Sequence, residues 1–263
     1  MRTVHLLPLW LCLACAPALA QSPRPPRHDP QVLDRVLDRV REVVKAGGRP
    51  VVVFDLDSTL FDNRYRTWRL LLEWAERTGA QGAAARIRAL PLEEVRYSLD
   101  ENLKRIEVSG EEAESARRYW LDHFFTDRGA TLDRPEAGAV AYVRAVRRAG
   151  AVVVYLTGRD APRMAGGTVT SLRRWGFPVG IPGVVLLLKP EKSMEDLAFK
   201  TQAREAIDAL GQVVATFDNQ PENTLLFAKT WPKATNVWLD TNHSPGAPEL
   251  PPAIPRVRNF RRP

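Results

Sequence analysis

The chain has almost no cysteine. Two occur in 263 residues, Cys12 and Cys15, both near the N-terminus. Beyond residue 20 there is no thiol, which excludes disulfide scaffolds, thiolate metal sites and cysteine nucleophiles from that part. Histidine is nearly as scarce: His5, His28, His123 and His243 stand apart, without the spacing of a metal-binding set. No glycine-rich loop of nucleotide-binding spacing occurs. The apolar run Leu6 to Ala16 is shorter than the about 20 residues a membrane-spanning helix needs. Charge is plentiful at 26%, but it forms no block, and the net +7 is spread along the chain. Such a surface serves solubility first. It also suits an anionic small molecule, or a nucleic-acid platform.

The N-terminus has the form of an export signal. Arg2 is the positive leader, Leu6 to Ala16 the apolar segment, and Ala18-Leu19-Ala20 a small-residue cleavage site. The reading is a signal over 1–20, a mature chain from Gln21, and a periplasmic or secreted protein. Lipidation at Cys15 is the alternative, though Cys12 stands where an aliphatic residue is usual. Residues 21–30 are Pro-rich and read as a linker. Asp29-Pro30 then predicts the cap and first position of a helix carrying Val32, Leu33, Val36, Leu37, Val40 and Val43.

Val51 to Phe54 predicts a buried strand. Further strands are predicted at 151–156, 184–188, 213–217 and 236–239, separated by helices at 135–149, 161–175, 194–210 and 221–230. Gly166-Gly167 is expected to loosen the second of these helices. This alternation predicts an α/β fold, a doubly wound parallel sheet with helices on both faces. Residues 66–125 are helical stripes with no strand. The expected organisation is a core of 31–63 and 134–245, a helical cap inserted at 64–133, and a Pro-rich tail at 246–263. The cap is expected to cover the carboxyl end of the sheet. Its aromatics, Trp120, Phe124 and Phe125 among them, read as core more readily than as a ligand platform.

Each predicted strand is followed by a polar residue: Asp55, Thr157, Lys189, Asp218 and Asp240. Asp55 and Asp57, two apart at a strand end, would face the same way and repel one another. A polar turn also uses Asp and Ser. Several such strand ends together describe a site for a cation and an anion at the carboxyl edge of a sheet.

The pattern resembles the haloacid dehalogenase (HAD) superfamily of phosphohydrolases. Asp55-Leu56-Asp57-Ser58-Thr59 matches its first motif, Thr157 its second, Lys200 its third and Asp218 its fourth. Lys189-Pro190 also resembles a form of the third motif. Lys200 is preferred, because it precedes the Asp218 strand. Thr157-Gly158-Arg159 is similar to secreted acid phosphatases of the superfamily. The fourth motif departs from the usual pattern: a second acidic residue is common there, while here Asp218 is followed by Asn219, Glu222 and Asn223.

The resemblance implies a magnesium-dependent phosphomonoesterase. Asp55 would be the nucleophile and Asp57 the acid and base. Mg2+ would be held by Asp55, the Asp57 carbonyl and Asp218. Thr157, Gly158, Arg159 and Lys200 would hold the substrate phosphate, unless Arg159 is spent on a salt bridge with Asp160 or another neighbour. The expected partner is a small phosphomonoester, not nucleic acid. A polynucleotide 3'-phosphatase and a non-catalytic surface protein that kept the fold are the alternatives. Substrate identity and oligomeric state are not encoded legibly.

Overall fold

The computed structural model describes residues 28–263; the expected export signal and most of the expected linker lie outside them. The first helix, α1 (Val32–Lys45), buries Val32, Leu33, Val36, Leu37, Val40 and Val43. Its N-cap is Gln31, not Asp29. Asp29 is spent elsewhere: its carboxylate pairs with Arg35, and its N–H donates to the Arg256 carbonyl at 2.8 Å.

Strand β1 (Pro50–Phe54) is buried throughout. Its side chains alternate between two cores. Val52 and Phe54 join α1 and Tyr142 on one face, while Val51 and Val53 join Phe199, Ile207 and Phe227 on the other. A central parallel strand covered on both faces needs an unbroken apolar run, which explains Val51-Val52-Val53-Phe54.

A two-residue strand, β2 (Phe61–Asp62), leads into the helical block: α2 (Arg64–Thr78), α3 (Gln81–Ala89), a single 3-10 turn at Leu92–Glu94, α4 (Leu99–Arg105), α5 (Gly110–Phe124) and α6 (Asp127–Ala130). Strand β3 (Arg134–Pro135) leads out, and β2 and β3 pair antiparallel. The block has a core of its own, built on Leu71, Trp74, Ile87, Leu103 and Ala116. The predicted continuous helix pattern is interrupted near Val95, which lies in the loop before α4.

The remaining elements are α7 (Ala139–Arg148), β4 (Val152–Asp160), α8 (Ala161–Trp175), β5 (Val184–Lys189), α9 (Asp196–Asp208), β6 (Gln212–Asp218), α10 (Pro221–Thr230), β7 (Thr235–Leu239) and β8 (Arg256–Val257). The sheet is parallel, in the order β5-β4-β1-β6-β7-β8. Strand order therefore reverses at β1, and the crevice for a ligand opens at the carboxyl ends of β1, β4 and β6.

Two expectations are corrected. The Pro-rich tail is not merely an appendage: it supplies β8 and buries Ile254, Val257 and Phe260. Phe260 stacks on Tyr142 with centroids 5.5 Å apart and its N–H donates to the Ala137 carbonyl at 2.8 Å, which adds to the β7–β8 pairing in fixing the segment. Nor does Gly166-Gly167 loosen α8, which runs unbroken. A Cβ at Gly167 would lie 2.0 Å from the Asp127 carbonyl oxygen, so the glycine is the place where α6 of the block approaches α8 of the core.

Candidate active site

Asp55 is the first residue beyond β1, and its N–H donates to the Phe217 carbonyl at 2.9 Å. The chain then turns sharply. The Leu56 carbonyl accepts from the N–H groups of Thr59, Leu60 and Phe61. Ser58 takes a left-handed conformation, φ 55°. Asn63 holds it there by accepting from its N–H and Oγ at 3.0 and 2.8 Å. Thr59 ties this turn to the end of β6, accepting from the Asn219 N–H at 3.0 Å. Asp55 and Asp57 consequently share one cavity of about 580 Å³ between sheet and helical block.

Two ionic clusters meet there. In the first, Lys200 from α9 donates to Asp55 Oδ1 at 2.9 Å and to Asp218 Oδ2 at 2.6 Å. Asp218 Oδ1 accepts from the Gln220 N–H at 2.8 Å and from Asn223 Nδ2 at 3.1 Å. Burial, with the negative charges of Asp218 and Asp57, pushes the Asp55 carboxyl up to about 7 despite the pull of Lys200. Burial should lower Lys200, but Asp218 and Asp55 outweigh it and hold the ammonium charged.

In the second cluster Asp57 accepts from Arg159 twice, Nε at 2.7 Å and Nη2 at 3.0 Å, from Asn63 Nδ2 at 2.9 Å and from Arg66 Nη2 at 3.2 Å. Asp133, itself buried, receives both guanidiniums: Arg159 Nη2 at 2.6 Å and Arg66 Nε at 2.7 Å. Two carboxylates and two guanidiniums thus close a ring. Burial would raise Asp57, yet Arg159 and Arg66 win and hold it at about 2.

The sequence-predicted residues fall into place unequally. Asp55, Asp57, Gly158, Arg159 and Lys200 line the cavity. Thr157 and Asp218 lie behind it, fully buried. The Thr157 hydroxyl donates toward Asp57 at 3.4 Å and accepts the Arg159 N–H at 3.3 Å. Arg159 is paired, but not with Asp160, whose carboxylate caps α8 and binds Arg163. The β4 register shifts between Thr157 and Asp160, which aims Arg159 back over β1. Lys189 does not reach Asp55 or Asp218: it donates to the Met194 carbonyl at 2.9 Å and to the Asp196 carboxylate at 2.7 Å. A Cβ at Gly158 would lie 2.2 Å from the Asp196 carboxylate, so glycine there lets α9 close onto β4.

Arg66, Asp133 and Asn63 escaped sequence reasoning. Arg66 opens an amphipathic helix and Asp133 sits in an apparent linker, positions at which charge is ordinarily solvated. Trp120, Phe124 and Phe125 were expected in the core. They line the cavity instead, with Tyr97 from the loop before α4.

The donor chemistry suits magnesium, being all oxygen with two carboxylates close to one ammonium. Among the described residues no three His, Cys, Asp or Glu side chains are grouped to cage a metal. A magnesium ion here would lean on Asp55, Asp218, the Asp57 carbonyl and water, a sparse protein set of the kind that ion accepts.

No protein-family model matches the sequence, and no curated protein is similar to it. Solved structures do share its architecture. A HAD-superfamily hydrolase of subfamily IA from Geobacter sulfurreducens matches with TM-score 0.52 over 82% of this chain and 95% of its own, at 15% identity. A candidate phosphatase from Clostridium difficile matches with TM-score 0.52 over 76% and 89%, at 13% identity. Protein Tyrosine Kinase A of Mycobacterium tuberculosis matches with TM-score 0.52 over 81% and 95%, at 17% identity. At such identities the likeness establishes the fold. Proteins named for hydrolysis and for kinase activity share it, so the chemistry has to come from the site. The chain has the α/β fold of haloacid dehalogenase-like proteins.

Proposed function

We propose that the protein is a phosphomonoester hydrolase working through an aspartyl-phosphate on Asp55. The observation that carries this reading is the pair of carboxylates on one turn, Asp55 beside an ammonium and Asp57 beside two guanidiniums. Asp55 attacks phosphorus through a carboxylate oxygen, and the bond to the ester oxygen breaks. Lys200, and Arg159 once Asp57 shares it with substrate, stabilise the charge on the transferring phosphoryl group. Asp57 rests ionised, which suits it to take a proton from the water that hydrolyses the phosphoenzyme. For the first half-reaction it must carry a proton to the leaving alkoxide. The phosphomonoester monoanion, whose second pKa lies near 6, can bring that proton in once its phosphate draws Arg159 from Asp57, because the loss of that guanidinium raises the Asp57 carboxyl. When bound, Mg2+ would offset the repulsion between the nucleophile and the phosphate charge.

The acidic side chains Glu195, Asp196 and Glu222 also line the cavity, with Arg96 as the only further cation there, among the described residues, besides Arg66, Arg159 and Lys200. This disfavours a polynucleotide end and supports a small monoester. We further propose export from the cytoplasm, on the strength of residues 1–20. Phosphate release from a panel of phosphomonoesters by purified protein with Mg2+ tests the activity. Release from several esters is expected; release from none, with the fold intact by circular dichroism, sinks the proposal.

A further inference from the structure

The cavity has two characters. Its floor is ionic, and its mouth mixes exposed apolar side chains with the exposed Arg96, Glu195, Asp196 and Glu222. Six large hydrophobic side chains are strongly exposed among the described residues, and three of them open onto this one cavity: Tyr97 at 49%, Leu197 at 46% and Phe125 at 36%. They come from three elements, the loop before α4, the amino end of α9 and the residue after α5, so no single helix stripe explains their convergence. Exposed apolar surface concentrated at a concave site is a mark of ligand contact.

Behind Phe125 the wall continues as a packed aromatic cluster. Trp120 stacks on Phe124 with centroids 4.2 Å apart, and Phe125 meets Phe124 edge-on at 4.9 Å. Arg66 covers Phe124 at 4.3 Å. The cluster is therefore held rigid from behind and offers aromatic faces and edges toward the opening, the geometries in which a further ring is bound. Arg163 lies over Phe125 at 5.6 Å but is paired with Asp160, and Asp196 is held by Lys189. Of the other charges lining the cavity, Glu195 and Glu222 stand against Arg96, so a second anionic group on the ligand would meet net repulsion.

We infer that the site selects phosphate monoesters whose alcohol carries an aromatic ring and no second anionic group, with Tyr97, Phe125 and Trp120 setting the preference. This rests on the phosphomonoesterase reading above. The test compares 2-phenylethyl phosphate with ethyl phosphate, whose leaving alcohols are similarly basic, so that the ratio of kcat/KM reports the ring. A preference for the aromatic ester of roughly tenfold or more is expected, the scale of selectivity one well-seated apolar group gives. Tyr97→Ala and Phe125→Ala, both at exposed positions, should each lower that ratio several-fold. A carboxylate added to the ring should lower kcat/KM in the wild type. Equal rates for the two esters, or variants that slow both alike, overturn the inference. Calorimetric binding of 3-phenylpropylphosphonate against propylphosphonate separates it from the parent proposal. A ring preference in binding without turnover of any ester supports the ligand class and removes the hydrolase. Equal affinities for the two phosphonates remove the ligand class.

Discussion

Asp55 and Asp57 leave the same strand two residues apart, yet their surroundings drive them in opposite directions. Asp55 lies against a single ammonium that it shares with Asp218. One cation for two buried carboxylates leaves a net negative charge, and Asp55 rises to about 7. Asp57 lies in a ring with two guanidiniums and one further carboxylate, and falls to about 2. The ring is neutral; the other cluster is short of one positive charge. A divalent cation there would turn the cluster from one net negative charge to one net positive charge, which suits a phosphate. Asp55 has to shed its proton to attack and Asp57 has to gain one to protonate a leaving alkoxide, so the two roles rest on where each carboxylate sits and not on its resting charge.

The division is broken most directly at Asp55. Asp55→Asn should abolish phosphate release, a loss of about 10⁴-fold or more, because a neutral amide is a poor nucleophile. Asp57→Asn should cost on the order of 100-fold, and more for alkyl esters than for aryl esters whose phenolate leaves unaided. Steady-state kinetics on both variants with both ester types measures the contrast. Equal losses for the two variants on an aryl ester would mean that the roles are not divided.

The ring itself can be opened at Asp133. Asp133→Asn leaves the buried guanidiniums of Arg66 and Arg159 facing one carboxylate. Removing one partner of a buried ionic set costs about 3–5 kcal/mol. Urea unfolding should show a loss of that size. A change under about 1 kcal/mol would show that the ring does not hold the helical block to the sheet.

What was legible in the sequence follows from where the physics is local. β1 had to be an unbroken apolar run because both its faces are covered, and two acids directly after such a run have a visible electrostatic cost. Arg66 and Asp133 have no local signature: they are 67 residues apart and only the fold brings them together. Trp120, Phe124 and Phe125 show the period of a helix face, but periodicity reports that a face is apolar and not what stands opposite it. Here the opposite side is the cavity. Phe260 was hidden for the converse reason, being one buried aromatic in a segment without periodicity. The fold class rested on many repeated local signals and is the part the structure shows. The site needed long-range pairing, and its missing members are those whose partners are distant.

The charge deficit at Asp55 also sets a pH dependence. Between its ordinary value of 3.8 and about 7 the folded protein keeps a proton that the unfolded chain has released. This group alone therefore makes the fold less stable as pH rises through that window, and the loss is complete above it. Mg2+ binds the ionised form, so at pH 6 the proton should weaken its apparent affinity about tenfold relative to pH 8. The rise in Tm on adding a fixed Mg2+ concentration should be larger at pH 8 than at pH 6. Differential scanning fluorimetry at the two pH values measures it, and equal shifts would detach the metal from Asp55.

The smallest effect concerns the lysine that the sequence left in competition with Lys200. Lys189 is bonded to the Met194 carbonyl and to Asp196, whose own side chain is 60% exposed. An ion pair half in water contributes about 0–1 kcal/mol. Lys189→Met keeps the length and apolar stem of the side chain, so its cost in stability should stay in that range. Freed of Lys189, the Asp196 carboxylate is less firmly held beside Gly158, and KM should change a few-fold while kcat is retained. Lys200→Met removes the only ammonium between Asp55 and Asp218 and should lose both activity and stability. Measuring kcat and the urea midpoint for the two variants side by side compares the lysines under one assay. If Lys189→Met were to lose kcat as completely as Lys200→Met, the phosphate would be held from β5 and not from α9, and the first ionic cluster would be structural.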